Sequence, residues 1–267
     1  MNKISIDNDN EIAYTREGQG VPVILIHALD GNMAAFINLK DELKEHYEVI
    51  TYDVRGHGYS SKPVAYDLTD HINDLAVLLE RLGIAHVHII GHEMGSVIAK
   101  TFAECYEEKV LSLTLISFDF TNGTHGINKL MFEHQDEIVG FDKAEALIVL
   151  FPYIYKSKES ARKWLQEQRI YARQKDECSA IANRALMSFP THHDDGNIKS
   201  GNVPILIING KCDPLVNHNN VKAILATHTD INLNIFNESG HAPHIEEPMH
   251  FKNAFNIFIN ATKLNHS

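Results

Sequence analysis

The strongest constraint in this chain is a repeated pattern of aliphatic, β-branched runs that break into Gly, Asp or His, separated by stretches with helical spacing. Val21 to Ile26 runs into His27, Tyr47 to Asp53 into Arg55-Gly56-His57-Gly58, and Val87 to Ile90 into Gly91-His92-Glu93-Met94-Gly95. Leu111 to Ser117, Pro204 to Asn209 and Leu233 to Phe236 continue the series, and helical spacing runs through Leu68 to Leu82 and Val97 to Tyr106. Strands that are apolar along their whole length must be covered on both faces, so the pattern predicts an α/β fold with a mostly parallel central sheet flanked by helices. Ile4 to Ile6 and Ile12 to Thr15 predict an opening hairpin.

The alternation stops between about Asp119 and Gly201, a helix-leaning stretch that holds Trp164 and the tyrosines Tyr153, Tyr155 and Tyr171, and resumes at Val203. A core of residues 1–118 and 202–267, with a helical cap inserted at 119–201, is the expected organisation. Apolar residues such as Leu147-Ile148-Val149-Leu150-Phe151 in that insertion imply a small, moderately hydrophobic organic substrate.

Charge and cysteine content narrow the partners. With 24 Lys and Arg against 35 Asp and Glu, the formal charge is −11, unfavourable for a polyphosphate, so nucleic acid is not an expected partner. The cysteines Cys105, Cys178 and Cys212 are too scattered for a disulfide framework, and Cys212 is expected to be a small packed side chain. The opening Met1-Asn2-Lys3-Ile4-Ser5-Ile6-Asp7 lacks a leader's apolar stretch, and no apolar run approaches the roughly 20 residues of a membrane span. The expectation is a cytoplasmic protein without membrane contact, with oligomerisation left open.

In open parallel sheets ligands bind beyond the C-terminal ends of the strands, so the residues there carry the function. His27-Ala28-Leu29-Asp30-Gly31-Asn32, Gly91-His92-Glu93-Met94-Gly95, Gly210-Lys211-Cys212-Asp213-Pro214 and Ser239-Gly240-His241-Ala242-Pro243-His244 occupy those places. Taken together and in this order they resemble the α/β-hydrolase superfamily along the whole chain. The resemblance implies a nucleophile at the centre of a Gly-x-Nuc-x-Gly elbow, then an acid, then a C-terminal histidine. On this sequence these are Glu93, Asp213 and His241, with Asp119 a minor alternative acid. It also implies oxyanion donors in the backbone N–H groups of Leu29 and Met94, a scaffold role for His27 and the Arg55-Gly56-His57-Gly58 loop, and no cofactor or metal.

The family usually places Ser at the elbow, sometimes Cys or Asp. Glu93 carries no proton for a histidine to remove near neutral pH, so the serine mechanism does not transfer unchanged. Several readings stay open: a hydrolase of small organic esters or related compounds with Glu93 at the elbow; a carboxylate-nucleophile enzyme like epoxide hydrolases and dehalogenases; a base at Glu93; a non-catalytic ligand-binding protein; or an engineered elbow variant of a serine hydrolase. The epoxide-hydrolase and dehalogenase supporting motifs are absent, since Met94, Leu29 and Asp30 stand where those enzymes favour Trp, Asn and Pro. Cap tyrosines are expected to pack, His244 to line the pocket entrance or the surface, and His192-His193-Asp194-Asp195 to form a solvated loop rather than a metal site.

Overall fold

The computed structural model describes residues 1–119, 124–187, 201–225 and 231–264. The His192-His193-Asp194-Asp195 run lies outside them. Eight strands form one sheet: β1 (Asn2–Ser5), β2 (Glu11–Glu17), β3 (Val21–Ile26), β4 (Tyr47–Tyr52), β5 (Val87–His92), β6 (Val110–Ile116), β7 (Ile205–Gly210) and β8 (Ile231–Phe236). Their spatial order is β1-β2-β4-β3-β5-β6-β7-β8. The opening hairpin is antiparallel, as is the β2/β4 pair, and every later pairing is parallel.

The period-two pattern of each central strand feeds two cores. Ile24, Ile26, Ile89, Leu113, Leu115, Ile205 and Ile207 pack on one face, against Leu75, Leu78 and Leu79 of α2 (Leu68–Arg81) and Ile98 and Phe102 of α3 (Met94–Cys105). Val23, Leu25, Ile90, Ile116, Leu206 and Ile208 face the other way, against α1 (Ile37–Leu43) and the C-terminal helix Pro248–Leu264. Helix α2 starts where the sequence supplies a reciprocal cap, with Asp67 and Asp70 each accepting the other's backbone N–H. Helix α3 begins at Met94, three residues before the apolar periodicity that suggested it, because the elbow itself is its first turn.

Between β6 and β7 the described residues are helical: α4 (Thr124–Glu133), α5 (Gln135–Ile138), α6 (Lys143–Ile154), α7 (Lys158–Tyr171) and α8 (Asp176–Met187). After them come α9 (His218–Leu225), α10 (Pro243–Glu246) and α11, the C-terminal helix Pro248–Leu264. The helical excursion is fastened to the sheet by polar contacts. The Trp164 indole N–H donates to Ala35 O at 2.8 Å, and the Asn32 amide donates to Gln168 O and Ala172 O at 3.0 and 3.2 Å. Among the described residues no helix is long and apolar enough to cross a membrane.

Two expectations about single residues do not hold. His244 is buried (4% exposed), held between the rings of Phe36, Trp164 and Phe251 rather than at a surface or an entrance. Cys212 is exposed, because the turn after β7 directs Asp213 inward and leaves its neighbour outside.

Five buried imidazoles make the fold acid-sensitive. Burial lowers the pKa values of His27 and His57 to about 4 and those of His71 and His244 to about 3, and holds His92 well below the ordinary value. The unfolded chain binds protons at these groups below about pH 6.5 whereas the folded chain refuses them, so stability is full above that pH and falls as the pH drops. Each group contributes about 1.4 kcal/mol per pH unit, against a total stability of roughly 5–15 kcal/mol. Glu93, His241, Asp53 and Asp74, held above their ordinary values, act in the opposite sense but are outnumbered. Urea-unfolding midpoints followed by circular dichroism are therefore expected to fall steeply between about pH 6.5 and 5; a midpoint constant over that range contradicts this account.

Candidate active site

The site forms where the strand order reverses. β3 pairs with β4 on one side and β5 on the other, and Ile26 lies opposite Gly91, so the loop after β3 and the elbow after β5 leave the sheet side by side. Helix α3 then starts so close to β3 that a β-carbon on Gly95 would lie 2.1 Å from Ile26 O, and one on Gly91 would lie 2.3 Å from Gly95 O. Only glycine permits this approach. It forces Glu93 to φ 50°, ψ −108°, a conformation that side chains other than Gly rarely adopt.

The strained turn aims the Glu93 carboxylate back at the loop after β3. Its Oε2 accepts the Leu29 N–H at 2.9 Å, and the nearby Met94 N–H also favours its charged form. Of the two backbone donors expected to form an oxyanion hole, that of Leu29 is thus occupied by the side chain of residue 93. Burial raises the Glu93 pKa, opposed by the positive charge of His241 and by the two N–H donors, with Asp30 adding to the rise.

Asp213 and His241 come from neighbouring strand ends, after β7 and β8. His241 Nδ1 and Asp213 Oδ2 are 2.9 Å apart, and the other Asp213 oxygen accepts the Leu215 N–H at 2.9 Å. Asp119, the alternative acid, instead accepts the Asn217 N–H at 3.1 Å. Burial alone would lower the His241 pKa. The charge and hydrogen bond of Asp213, followed by the charges of Glu93 and Glu246, outweigh it and raise the pKa above the ordinary value. With Nδ1–H donating to Asp213, the remaining nitrogen, Nε2, is the one able to take a proton.

His241 is also fixed through its backbone, which sequence reasoning missed. His92 Nε2–H and the Ser117 hydroxyl each donate to the His241 carbonyl at 2.8 Å. His92 is the residue before Glu93, so its place in the elbow motif was a usable signal. Ser117 has φ 50°, a conformation that no local sequence cue announces. The His92 ring lies 5.1 Å from that of His241 and 4.9 Å from that of His244, with Trp164 closing the group at 5.9 Å from His92.

The remaining expectations separate cleanly. Of the three tyrosines, Tyr155 is buried with its ring 6.3 Å from His241. Tyr153 bonds Glu137 at the surface, and Tyr171 bonds Asp53 at 3.3 Å beside Tyr59. His27 holds the two loops together, with Nδ1 at 2.8 Å from Ala28 O and Nε2 accepting the Val54 N–H at 3.1 Å, which is a scaffold role. Among the described residues no group of three His, Cys, Asp or Glu side chains could hold a metal ion.

Several of the proteins this chain is similar to are lipases or hydrolases by name. Lipase 3 of a Moraxella species is 24% identical over 281 aligned positions, covering 98% of this chain and 85% of the lipase. The 2-(acetamidomethylene)succinate hydrolase of Mesorhizobium japonicum is 33% identical over 103 positions, 38% of this chain and 37% of that protein. Among solved structures, the enol-lactonase of Burkholderia xenovorans superposes with a TM-score of 0.78 at 17% identity, covering 96% of this chain and 99% of the lactonase. An esterase from Exiguobacterium antarcticum does so with a TM-score of 0.77 at 21% identity, covering 94% and 96%. At such identities the superpositions show the fold. The sequence pattern of the alpha/beta hydrolase fold family matches residues 21–248, from the third strand to the residue that opens the last helix, and the chain belongs to that family.

Proposed function

We propose that this chain is a cofactor-independent hydrolase in which Glu93 is a carboxylate nucleophile, acting on a small, moderately apolar electrophile beneath the cap 119–201. Epoxides, strained cyclic esters and alkyl halides have the required displaceable group on carbon. One observation carries the reading: Glu93 Oε2 already accepts the Leu29 N–H at 2.9 Å. A carboxylate nucleophile needs this division of labour, because one oxygen attacks while the other becomes the carbonyl oxygen of the resulting ester.

In the first step Glu93 Oε1 bonds to the substrate carbon, and the electrons of the broken bond leave with the displaced group. The Tyr155 phenol, kept protonated by burial and by nearby carboxylates, stands beside His241 to protonate a departing alkoxide. In the second step His241 Nε2 takes a proton from water, whose oxygen attacks Cδ of the glutamyl ester. The charge that develops on Oε2 meets the Leu29 and Met94 N–H groups, which are already in place. Collapse expels the alcohol oxygen, which receives the proton from His241; the second proton of the water passes to the Tyr155 phenolate where that group had protonated an alkoxide, or to solvent where a halide had left, and the carboxylate is restored with one oxygen derived from water. The lipase and hydrolase relatives support hydrolytic chemistry, and the carboxylate in the hole directs it away from a serine-type acyl-enzyme.

The expected outcome of turnover in oxygen-18 water, with a panel of epoxides, β-lactones, alkyl halides and aryl esters, is heavy oxygen incorporated into Glu93 itself, read by mass spectrometry of its peptide. Glu93→Gln should lower kcat by about 10⁴-fold or more, and His241→Ala should accumulate the glutamyl ester as a mass adduct. Turnover without label in Glu93 removes the carboxylate as nucleophile. Esterase activity that rises in Glu93→Ser from almost nothing instead identifies a serine hydrolase blocked at its elbow.

The pH profile follows from the same geometry. His241 must be neutral to act as base and its pKa is raised, so kcat should fall on the acid side with an inflection above about pH 6.5. Asp213→Asn removes the largest effect holding the proton on His241. That variant should move the inflection to lower pH while cutting kcat by on the order of 10³ to 10⁴; an unmoved inflection means that another group limits the profile.

A further inference from the structure

We infer that Glu246 is a positioning residue for His241, locking the imidazole loop to the cap. Its carboxylate accepts four backbone N–H groups from two segments far apart in sequence. Oε2 takes those of Lys156 and Ser157 at 2.7 and 2.8 Å, where α6 gives way to α7. Oε1 takes those of Gly240 and Ala242 at 3.0 and 3.1 Å, on either side of His241.

The same two segments touch directly. The His241 N–H donates to Ile154 O at 3.0 Å, and a β-carbon on Gly240 would lie 2.3 Å from that oxygen. The ring of Tyr155, the next cap residue, packs 6.3 Å from the imidazole. The His241 loop is therefore pinned from opposite sides. His92 and Ser117 hold its carbonyl from the elbow side, and residues 154–157 hold its amides through Glu246. A shift of the cap junction carries the imidazole with it. Glu246 also adds directly to the rise in the His241 pKa.

Glu246→Gln retains the shape but replaces one accepting oxygen with a donor, so one pair of N–H groups must lose its partner. The inference rests on His241 being the working base, yet its test reads the imidazole rather than the reaction. In ¹⁵N-labelled protein, NMR titration of His241 in Glu246→Gln is expected to show a lower pKa than in the parent chain. The Nδ1 proton shared with Asp213 should exchange faster, and kcat should fall by about ten- to a hundredfold while KM moves by less than about threefold. Glu238→Gln removes only the Lys156–Glu238 ion pair at the same junction and should leave the imidazole signals in place. If Glu246→Gln does not fold, Glu246→Asp, which keeps the charge but cannot span both segments, is expected to show faster amide exchange at 156 and 157 or at 240 and 242 with the same imidazole changes.

Imidazole signals that match the parent in the folded variant overturn the positioning role, even if the variant is less stable. Altered signals with no turnover of any electrophile leave the role intact and count against the nucleophile reading alone.

Discussion

The site depends on the close passage of α3 over β3, where Gly95 meets the Ile26 carbonyl with no room for a β-carbon. Parallel pairing of β3 with β5 brings the two strand ends together, and the missing β-carbons let the chain reverse into a helix in one step. The consequence is electrostatic. The reversal leaves two backbone N–H groups aimed at one spot, and residue 93 is forced into a conformation that sends its side chain there. The strain at Glu93 and the polarity around its carboxylate are two results of one backbone contact.

A charge placed there reorganises its neighbours. Burial raises the Glu93 pKa while the two N–H groups and His241 resist, and the same carboxylate helps Asp213 to keep a proton on His241. The imidazole is held through its ring by Asp213 and through its backbone by His92 and Ser117. Beneath it, the pKa values of His92 and His244 are lowered because burial excludes their charged forms, and a proton on His241 adds to the effect. A raised pKa on His241 and lowered ones on the two rings beside it are thus parts of one arrangement.

Much of this was legible in the sequence, for definite reasons. Strand runs such as Val21–Ile26 and Ile205–Gly210 announce themselves because strands covered on both faces must be apolar throughout, and the Gly, Asp and His residues that end them mark the functional edge. Ordered motifs pointed to Glu93, Asp213 and His241, of which Asp213 and His241 lie 2.9 Å apart. What stayed hidden were contacts between segments distant in sequence. Nothing local links Glu246 to Lys156 and Ser157, and Ser117 reads as an ordinary strand terminus until its backbone is seen at φ 50°. His244 and Cys212 were misplaced for the same reason. Whether a residue near a turn faces inward is decided by what packs over it, here Trp164 and Phe36 for His244.

The carboxylate oxygen seated on the Leu29 N–H has a consequence for how such a protein is recognised in a cell extract. Fluorophosphonates and related labels that tag serine hydrolases need an elbow hydroxyl to attack phosphorus and a vacant pair of amides to receive its oxygen. This chain offers a carboxylate in place of the hydroxyl and fills the Leu29 amide with its own side chain. By that chemistry it passes unlabelled through surveys of its relatives, although its backbone is folded like theirs.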